Sequence, residues 1–301
     1  MALEGYVRDV SNTLLVSVIV VTWNSAATIV DLLDSLAAKP PDVSCEVLVV
    51  DNASGDETVQ LASRHPTAPR VLVNRQNRGL AAANNQGMLA ASGDYFLICN
   101  PDVVLQPGCV DALVACMARH PRAAFALARL LHPDGTLQRG VGDLPTIAEA
   151  LRGRGSAHRR SETSGWWWDG WAHDEERQVG HGNEACYLVR RTAVSSIGLQ
   201  DERYTLDWEG LDWSARAAAS GWQVWFCPSA VAIHVGGVSI RQALRARWVM
   251  TTHRGMYRYF ASRSPAALRP VLAGLVGARM IAKIALSAFQ PRVYDRAHRG
   301  R

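Results

Sequence analysis

The sequence predicts an α/β fold: a mostly parallel sheet flanked by helices, merged with a second half and followed by a C-terminal helical appendage. Three observations predict it. Short apolar, β-branched runs alternate with helix-period segments over residues 16–99, and the runs end on polar residues such as Thr22, Asp51 and Asn100. A content of 48% apolar residues in 301 supplies a core large enough for one such domain.

Val16–Val21 is β-branched and reads as the first strand, and Ser25 offers a cap for a helix through Ala38 with Ile29, Leu32, Leu33 and Leu36 on one face. Pro40-Pro41 ends that helix. Glu46–Val50 is the next strand, Asp56 to about His65 a second helix, Val71–Val73 a third strand, Leu80–Ala91 a third helix and Tyr95–Cys99 a fourth strand. This alternation argues for a parallel sheet of the nucleotide-binding kind with right-handed crossovers. Periodicity fails from Arg152 to Gly182, where a long loop carries Trp166-Trp167-Trp168 and Trp171. Those rings suit sugar stacking, a hydrophobic plug, or contact with a membrane or partner, and the sequence does not choose among them. Order resumes at Ala185–Val189, with Gln223–Phe226 and Val231–His234 as later strands. From Arg241 the chain is helical and Arg-rich.

Charge is divided unevenly. Residues 241–301 hold 13 Arg/Lys against one acid, Asp295, for a charge of +12, whereas the remainder carries −7. An acidic body suits a metal-using site, and a basic tail suits an anionic membrane surface or a phosphate-bearing partner. Nucleic acid is the weakest partner reading, because the charge is confined to a tail that also holds an apolar stretch. In Pro270–Phe289 the charges of Arg269, Arg279 and Lys283 fall in one helical arc, which fits either an interfacial helix on the inner leaflet or a helix packed on the body. The first apolar run, Leu14–Val21, is too short to span a bilayer and no signal peptide is visible. Cysteines 45, 99, 109, 116, 186 and 227 lack metal-type spacing and read as reduced core residues of a cytosolic protein.

Three segments carry candidate chemistry. Asn100-Pro101-Asp102 ends the fourth strand and delivers a carboxylate to the sheet edge, where a diphosphate-bound Mg²⁺ or Mn²⁺ takes oxygen ligands; the tripeptide is also good turn chemistry. Asp51 ends the second strand, to accept from a base or ribose hydroxyl or to form an Asx turn. Asn77–Asn85 opens a helix with small residues, and its Arg78 suits a phosphate or a base face.

In order along the chain, Val20–Ser25, Val50–Asp56, Asn77–Gly87, Asn100-Pro101-Asp102 with Pro107-Gly108, and Pro133–Thr136 resemble the family 2 glycosyltransferases. Gly182–Arg191, Asp201–Tyr204, and Gly221-Trp222 through His234–Ser239 are similar to its rhamnosyltransferase branch, with coverage of about residues 16–260. The resemblance implies a GT-A fold: residues 14–240 form the transferase domain, 14–132 its nucleotide-sugar half, 133–240 its acceptor-binding half with loop 152–182, and 241–301 a basic helical tail. It implies an inverting transferase moving rhamnose from dTDP-rhamnose, or a sugar from a UDP donor, onto a polyprenyl-linked or polysaccharide acceptor. Such a protein would be peripheral on the inner face of the cell membrane and serve cell-wall biosynthesis. Residue by residue, it implies Thr22, Asn24 and Asp51 at the pyrimidine, Arg78, Gly79 and Asn100 at the nucleotide, and Asp102 and His234 on Mg²⁺ or Mn²⁺. Relatives carry adjacent Glu-Asp after the Asp-Glu-Arg motif, and here Gly210 stands in place of that aspartate. Glu209 is then the first candidate for the general base and Asp212 the second, unless both only stabilise the helix. Loss of the aspartate also fits a catalytically silent sugar-nucleotide or glycan-binding protein.

Overall fold

The computed structural model describes residues 14–138, 140–153, 164–168, 170–205, 207–236 and 245–289. The predicted motif residues Gly237–Ser239, the middle of the long loop and the last residues of the tail lie outside them.

The first half alternates as the sequence predicts: β1 (Leu15–Thr22), α1 (Ile29–Ala38), β2 (Ser44–Asp51), α2 (Thr58–Ser63), β3 (Arg70–Val73), α3 (Leu80–Ala90) and β4 (Tyr95–Cys99). Then come β5 (Val103–Leu105), α4 (Cys109–Arg119), β6 (Ala123–Leu131), β7 (Val141–Gly142), α5 (Ile147–Arg152), β8 (Arg177–Val179), β9 (His181–Gly182) and β10 (Cys186–Arg190). α6 (Arg191–Ile197), α7 (Glu209–Ala219), β11 (Gln223–His234), α8 (Arg245–Ser262), a short 3-10 turn (Ala266–Leu268) and α9 (Arg269–Phe289) complete the chain.

The main sheet runs β3-β2-β1-β4-β10-β6-β11-β5, with β8 paired to β11. β1 to β4 are mutually parallel, as is β6 with β11, and β10 is inserted antiparallel between β4 and β6. Because β1 is flanked by β2 on one side and β4 on the other, the chain reverses direction across the sheet there. In open α/β sheets the crevice outside the carboxyl ends at such a point is where ligands bind.

Strand alternation builds two cores. Val16, Val18 and Val20 face the α1 and α4 side, with Leu32, Leu33 and Leu113, while Ile19 faces α3 and α7 with Met88 and Trp213. A third cluster, in which Trp208 meets Tyr259, Phe260, Leu272 and Val276, fastens α8 and α9 to the body.

Several expectations need correction. Ser25 does not cap α1: its carbonyl closes a turn with Thr28 and Ile29, so the helix starts three residues later than the cap position implies. Gln223–Phe226 and Val231–His234 are one strand with a register shift after Cys227. The long loop contains β8 and β9, and Trp168 and Trp171 are buried against Phe226, which makes them a hydrophobic plug. The plug sits close on the β7–β9 ribbon, where a Cβ at Gly142 would overlap the Trp166 carbonyl. In α9 one member of the predicted basic arc turns to the body, Arg279, which donates to the Leu151 carbonyl at 2.7 Å and meets His253 at 2.6 Å, while Arg269 and Lys283 are exposed. Its outward face is apolar, with Val271, Leu275, Ile281 and Leu286 exposed. Five of the six cysteines are buried and all six are free thiols.

Candidate active site

The carboxyl ends of β1, β2 and β4 meet at the point of reversal. There Thr22 Oγ1 donates to Asp51 Oδ1 at 2.9 Å, and Ser54 donates from its backbone to Oδ2 at 2.9 Å and from its hydroxyl to Oδ1 at 2.5 Å. Asp51 is fully buried, so the turn alternative is realised: three hydrogen bonds use most of its acceptor capacity. Asn24, in the left-handed region at φ 50°, donates its N–H to Ser54 Oγ and accepts from Gly55 N, which ties the β1 edge to the β2 turn. Arg78 stands half-exposed at the rim, 3.9 Å from Glu202. Gly79 follows at φ 86°, where a Cβ would also press on the Thr205 backbone.

At the end of β4, the Asn100 N–H donates to the Ala185 carbonyl at 2.8 Å, and the turn presents Asp102. Asp102 Oδ2 accepts from Gly236 N at 3.0 Å, so the carboxylate is fixed against the end of β11. Its Oδ1 lies 3.4 Å from His234 Nε2, bringing together two residues 132 positions apart in sequence. On the other side of the ring, Nδ1 is 2.6 Å from the Gln138 amide oxygen. An amide oxygen only accepts, so Nδ1 carries the hydrogen, which leaves Nε2 as the ring atom that would offer a lone pair to a cation beside Asp102. A lone pair facing a carboxylate at that spacing is chemically a cation seat, with a second-shell acceptor fixing the tautomer. Its oxygen and imidazole donors fit Mn²⁺ or Mg²⁺, which fill remaining positions with water and phosphate oxygens. Gln138 was not picked out from the sequence, where nothing marks a glutamine as the partner of a histidine 96 residues away. A separate cluster of Cys116, Glu176 and Cys227 is sulfur-rich, and its carboxylate is already held by Arg119 and His120.

Across the cleft, Asp207 and Trp208 both take left-handed backbone angles, φ 61° and 70°, a costly arrangement for non-glycine residues. They launch α7 with Glu209 as its first residue. Glu209 is buried, its Oε2 has no hydrogen-bond partner among the described residues, and burial, helped by the charge of Asp207, pushes its pKa up to about 7. Asp207 itself is held by Thr252 Oγ1 at 2.8 Å. Asp212, the second candidate base, is not available: Arg216 and Arg263 each occupy one of its oxygens at 2.8 Å, making it an ion-pair node between α7 and α8. Beside Gly210 lies a group the sequence reading passed over, the carboxyl of Glu184.

The sheet, with Asp102 and His234 gathered at its carboxyl edge, is of the α/β kind that binds nucleotides at that edge. Residues 17–186 match the model of glycosyl transferase family 2, and the chain belongs to that family. It is rhamnosyltransferase-like: the N-acetylglucosaminyl-diphospho-decaprenol L-rhamnosyltransferase of Mycobacterium tuberculosis is 30% identical over 250 residues, 76% of this chain and 78% of that one. The fold is similar to that of the mannosyltransferase PcManGT from Pyrobaculum calidifontis in complex with GDP-Man and Mn²⁺, at TM-score 0.55, 18% identity, 94% of this chain and 77% of that one. GalNAc-T7 with UDP, GalNAc and Mn²⁺ gives TM-score 0.56 and 18% identity over 74% of this chain, which spans 44% of its length.

Proposed function

We propose that the protein is an inverting, metal-dependent glycosyltransferase that moves rhamnose from dTDP-rhamnose onto a polyprenyl-diphosphate-linked acceptor at the inner face of the membrane. The observation that carries the reading is the Asp102–His234 pair, 3.4 Å apart at the carboxyl end of the sheet and oriented by Gln138. A divalent ion held by these two residues would neutralise the leaving diphosphate. The Thr22–Asn24 edge and the Asp51 turn provide a preformed rim for the base, Arg78 and Gly79 lie at phosphate reach beside it, and Asn100 orders the turn that aims Asp102. Glu209, enclosed and with a raised pKa, suits the removal of the acceptor hydroxyl proton.

The sugar and the lipid acceptor are suggested by the activity for which the mycobacterial relative is named. Two features of this chain support an acceptor of that chemistry. A cavity of about 560 Å³ between the Arg203–Thr205 loop and α8 is lined by Arg203, Arg254, Arg258 and Arg269, a set suited to a diphosphate. It adjoins the donor rim, because Thr205 abuts Gly79. The outward apolar face of α9 suits a bilayer surface, while none of the described helices is long and apolar enough to cross one.

The test is nucleotide release with a donor panel (dTDP-rhamnose, UDP-glucose, UDP-galactofuranose, UDP-N-acetylglucosamine) and a short polyprenyl-diphosphate N-acetylglucosamine acceptor, with and without EDTA. Release with dTDP-rhamnose, lost on chelation and restored by Mn²⁺ or Mg²⁺, is expected. Nucleotide binding without release from any donor would mark a silent binding protein instead.

A further inference from the structure

We propose that Glu184 supplies the carboxyl group that position 210 lacks, and that Glu184 and Glu209 act as a pair in accepting the proton of the incoming hydroxyl. The inference rests on the transferase reading above and adds to it a residue from a different strand.

The first argument is steric. A Cβ built on Gly210 lands on the Glu184 carboxyl carbon and on both of its oxygens, so a side chain at 210 and the side chain of Glu184 exclude one another. The Glu184 carboxyl thus fills the space at the start of α7 into which residue 210 would project. Glycine is required at 210 for this close approach, although its position inside a helix costs about 1 kcal/mol relative to alanine.

The second argument is placement. Glu184 immediately precedes Ala185, whose carbonyl takes the Asn100 N–H, and Cys186 pairs with Cys99 across the β4–β10 ladder. On the other side, Asn183 Nδ2 donates to the Gln138 amide oxygen that also orients His234. The segment 183–185 is therefore fastened to the Asp102 turn and to the His234 network at once. From that anchored segment its carboxyl reaches the first turn of α7 at Gly210.

The third argument is chemical. Glu209 Oε2 is buried without a partner, and two enclosed carboxyl groups side by side do not both ionise. A single proton on the pair would leave one negative charge, which the N-terminal end of the 11-residue helix α7 favours. Burial and the nearby charges of Glu209 and Asp207 raise the Glu184 pKa well above the ordinary carboxyl range, in line with proton sharing. The competing carboxylates are committed elsewhere: Asp212 to two arginines and Asp207 to Thr252. In the step itself, the acceptor hydroxyl oxygen bonds to the anomeric carbon and the bond from that carbon to the diphosphate oxygen breaks. Its electron pair leaves with the nucleoside diphosphate, and the hydroxyl proton passes to the carboxyl pair, which returns it to water.

The experiment is a reciprocal swap: Glu184→Gln, Glu184→Gly, Gly210→Asp and the double variant Glu184→Gly/Gly210→Asp. Each is measured for kcat and KM of transfer, for nucleotide binding and for Tm. Expected are a fall in kcat of about 100-fold for Glu184→Gln with donor KM and nucleotide binding within about threefold, the size of a lost general base. Gly210→Asp alone should lower Tm, because two carboxyl groups then compete for one space. The double variant should recover that Tm and regain at least about tenfold in kcat over either single variant, as expected when one carboxylate replaces another in the same role. A Glu184→Gln enzyme that keeps its kcat, or a double variant no better than its worse parent, overturns the proposal. If the wild type transfers from no donor, it is the transferase reading that fails. The Tm comparison then still reports whether Glu184 and position 210 exchange places, and absence of recovery overturns the inference by itself.

Discussion

The donor-side rim and the entrance of α7 face the same cleft but are built on opposite principles. On the rim, Asp51, Asn24 and Asp102 are tied by short hydrogen bonds to neighbouring turns, so the polar groups are satisfied before any ligand arrives. At the α7 entrance, Asp207 and Trp208 hold unfavourable backbone angles, Glu209 keeps an unpartnered buried oxygen, and Glu184 and Glu209 crowd their carboxyl groups together. A satisfied rim positions a ligand rigidly, whereas an under-satisfied pocket stores groups whose demand for a proton or a partner is met only during reaction. The first kind of site is stabilising, and the second costs stability that the body must offset.

Four substitutions break or sharpen that contrast. The largest effect is expected for Asp102→Ala, which removes one of the two cation ligands and should reduce transfer by about a thousandfold, and it should also lower Tm because the Gly236 N–H loses its acceptor. Glu209→Gln should lower kcat by about a hundredfold and have the opposite effect on stability at alkaline pH. A carboxyl whose folded pKa is raised to about 7 contributes stability below its unfolded pKa of 4.5 and loses it as pH rises through about 7. Tm of the wild type should therefore fall over that window, and the Gln variant should flatten the profile. The wild-type rate should show the matching trend, decreasing as pH drops below about 7 and the carboxyl pair takes up its proton. Gln138→Leu should weaken metal activation by about 10-fold or more, because His234 loses the acceptor that fixes its tautomer, as titration of activity against Mn²⁺ would reveal. The smallest effect on rate is expected for Asp212→Asn. It should lower stability by about 1–3 kcal/mol through the loss of two ion pairs to partly buried arginines, with kcat nearly unchanged, and a denaturant titration distinguishes this structural role from a catalytic one.

How far the molecule is legible in its sequence differs between the halves. Tyr95–Cys99 and Val16–Val21 were recognisable because a strand buried on both faces is apolar at nearly every position, Ser17 being the exception, and α3 because small residues follow Gly79. In the second half the strands at Ala185–Val189 and Gln223–His234 were legible but their places in the sheet were not, because β10 enters antiparallel between β4 and β6, a pairing that no local pattern encodes. Val231–His234 read as separate from Gln223–Phe226 for a related reason. Pro228 and Ser229 look like a break locally, yet the ladder to β6 continues across the irregularity.

The candidate site divides in the same way. Asp102 stands at the end of a recognisable strand, and His234 and Glu209 were singled out by the resemblance to the family, along with the fold class; the acidic body was read from composition. Asp212 was the second choice, and only the structure shows it paired with Arg216 of α7 and with Arg263 just beyond α8. Glu184 and Gly210 were visible as residues but not as a pair, since a glycine records the absence of a side chain and says nothing of what fills the space. Local chemistry is written in the order of residues; which carboxyl group is free, paired or substituted for another depends on contacts between segments tens of residues apart, and those are decided by packing in three dimensions.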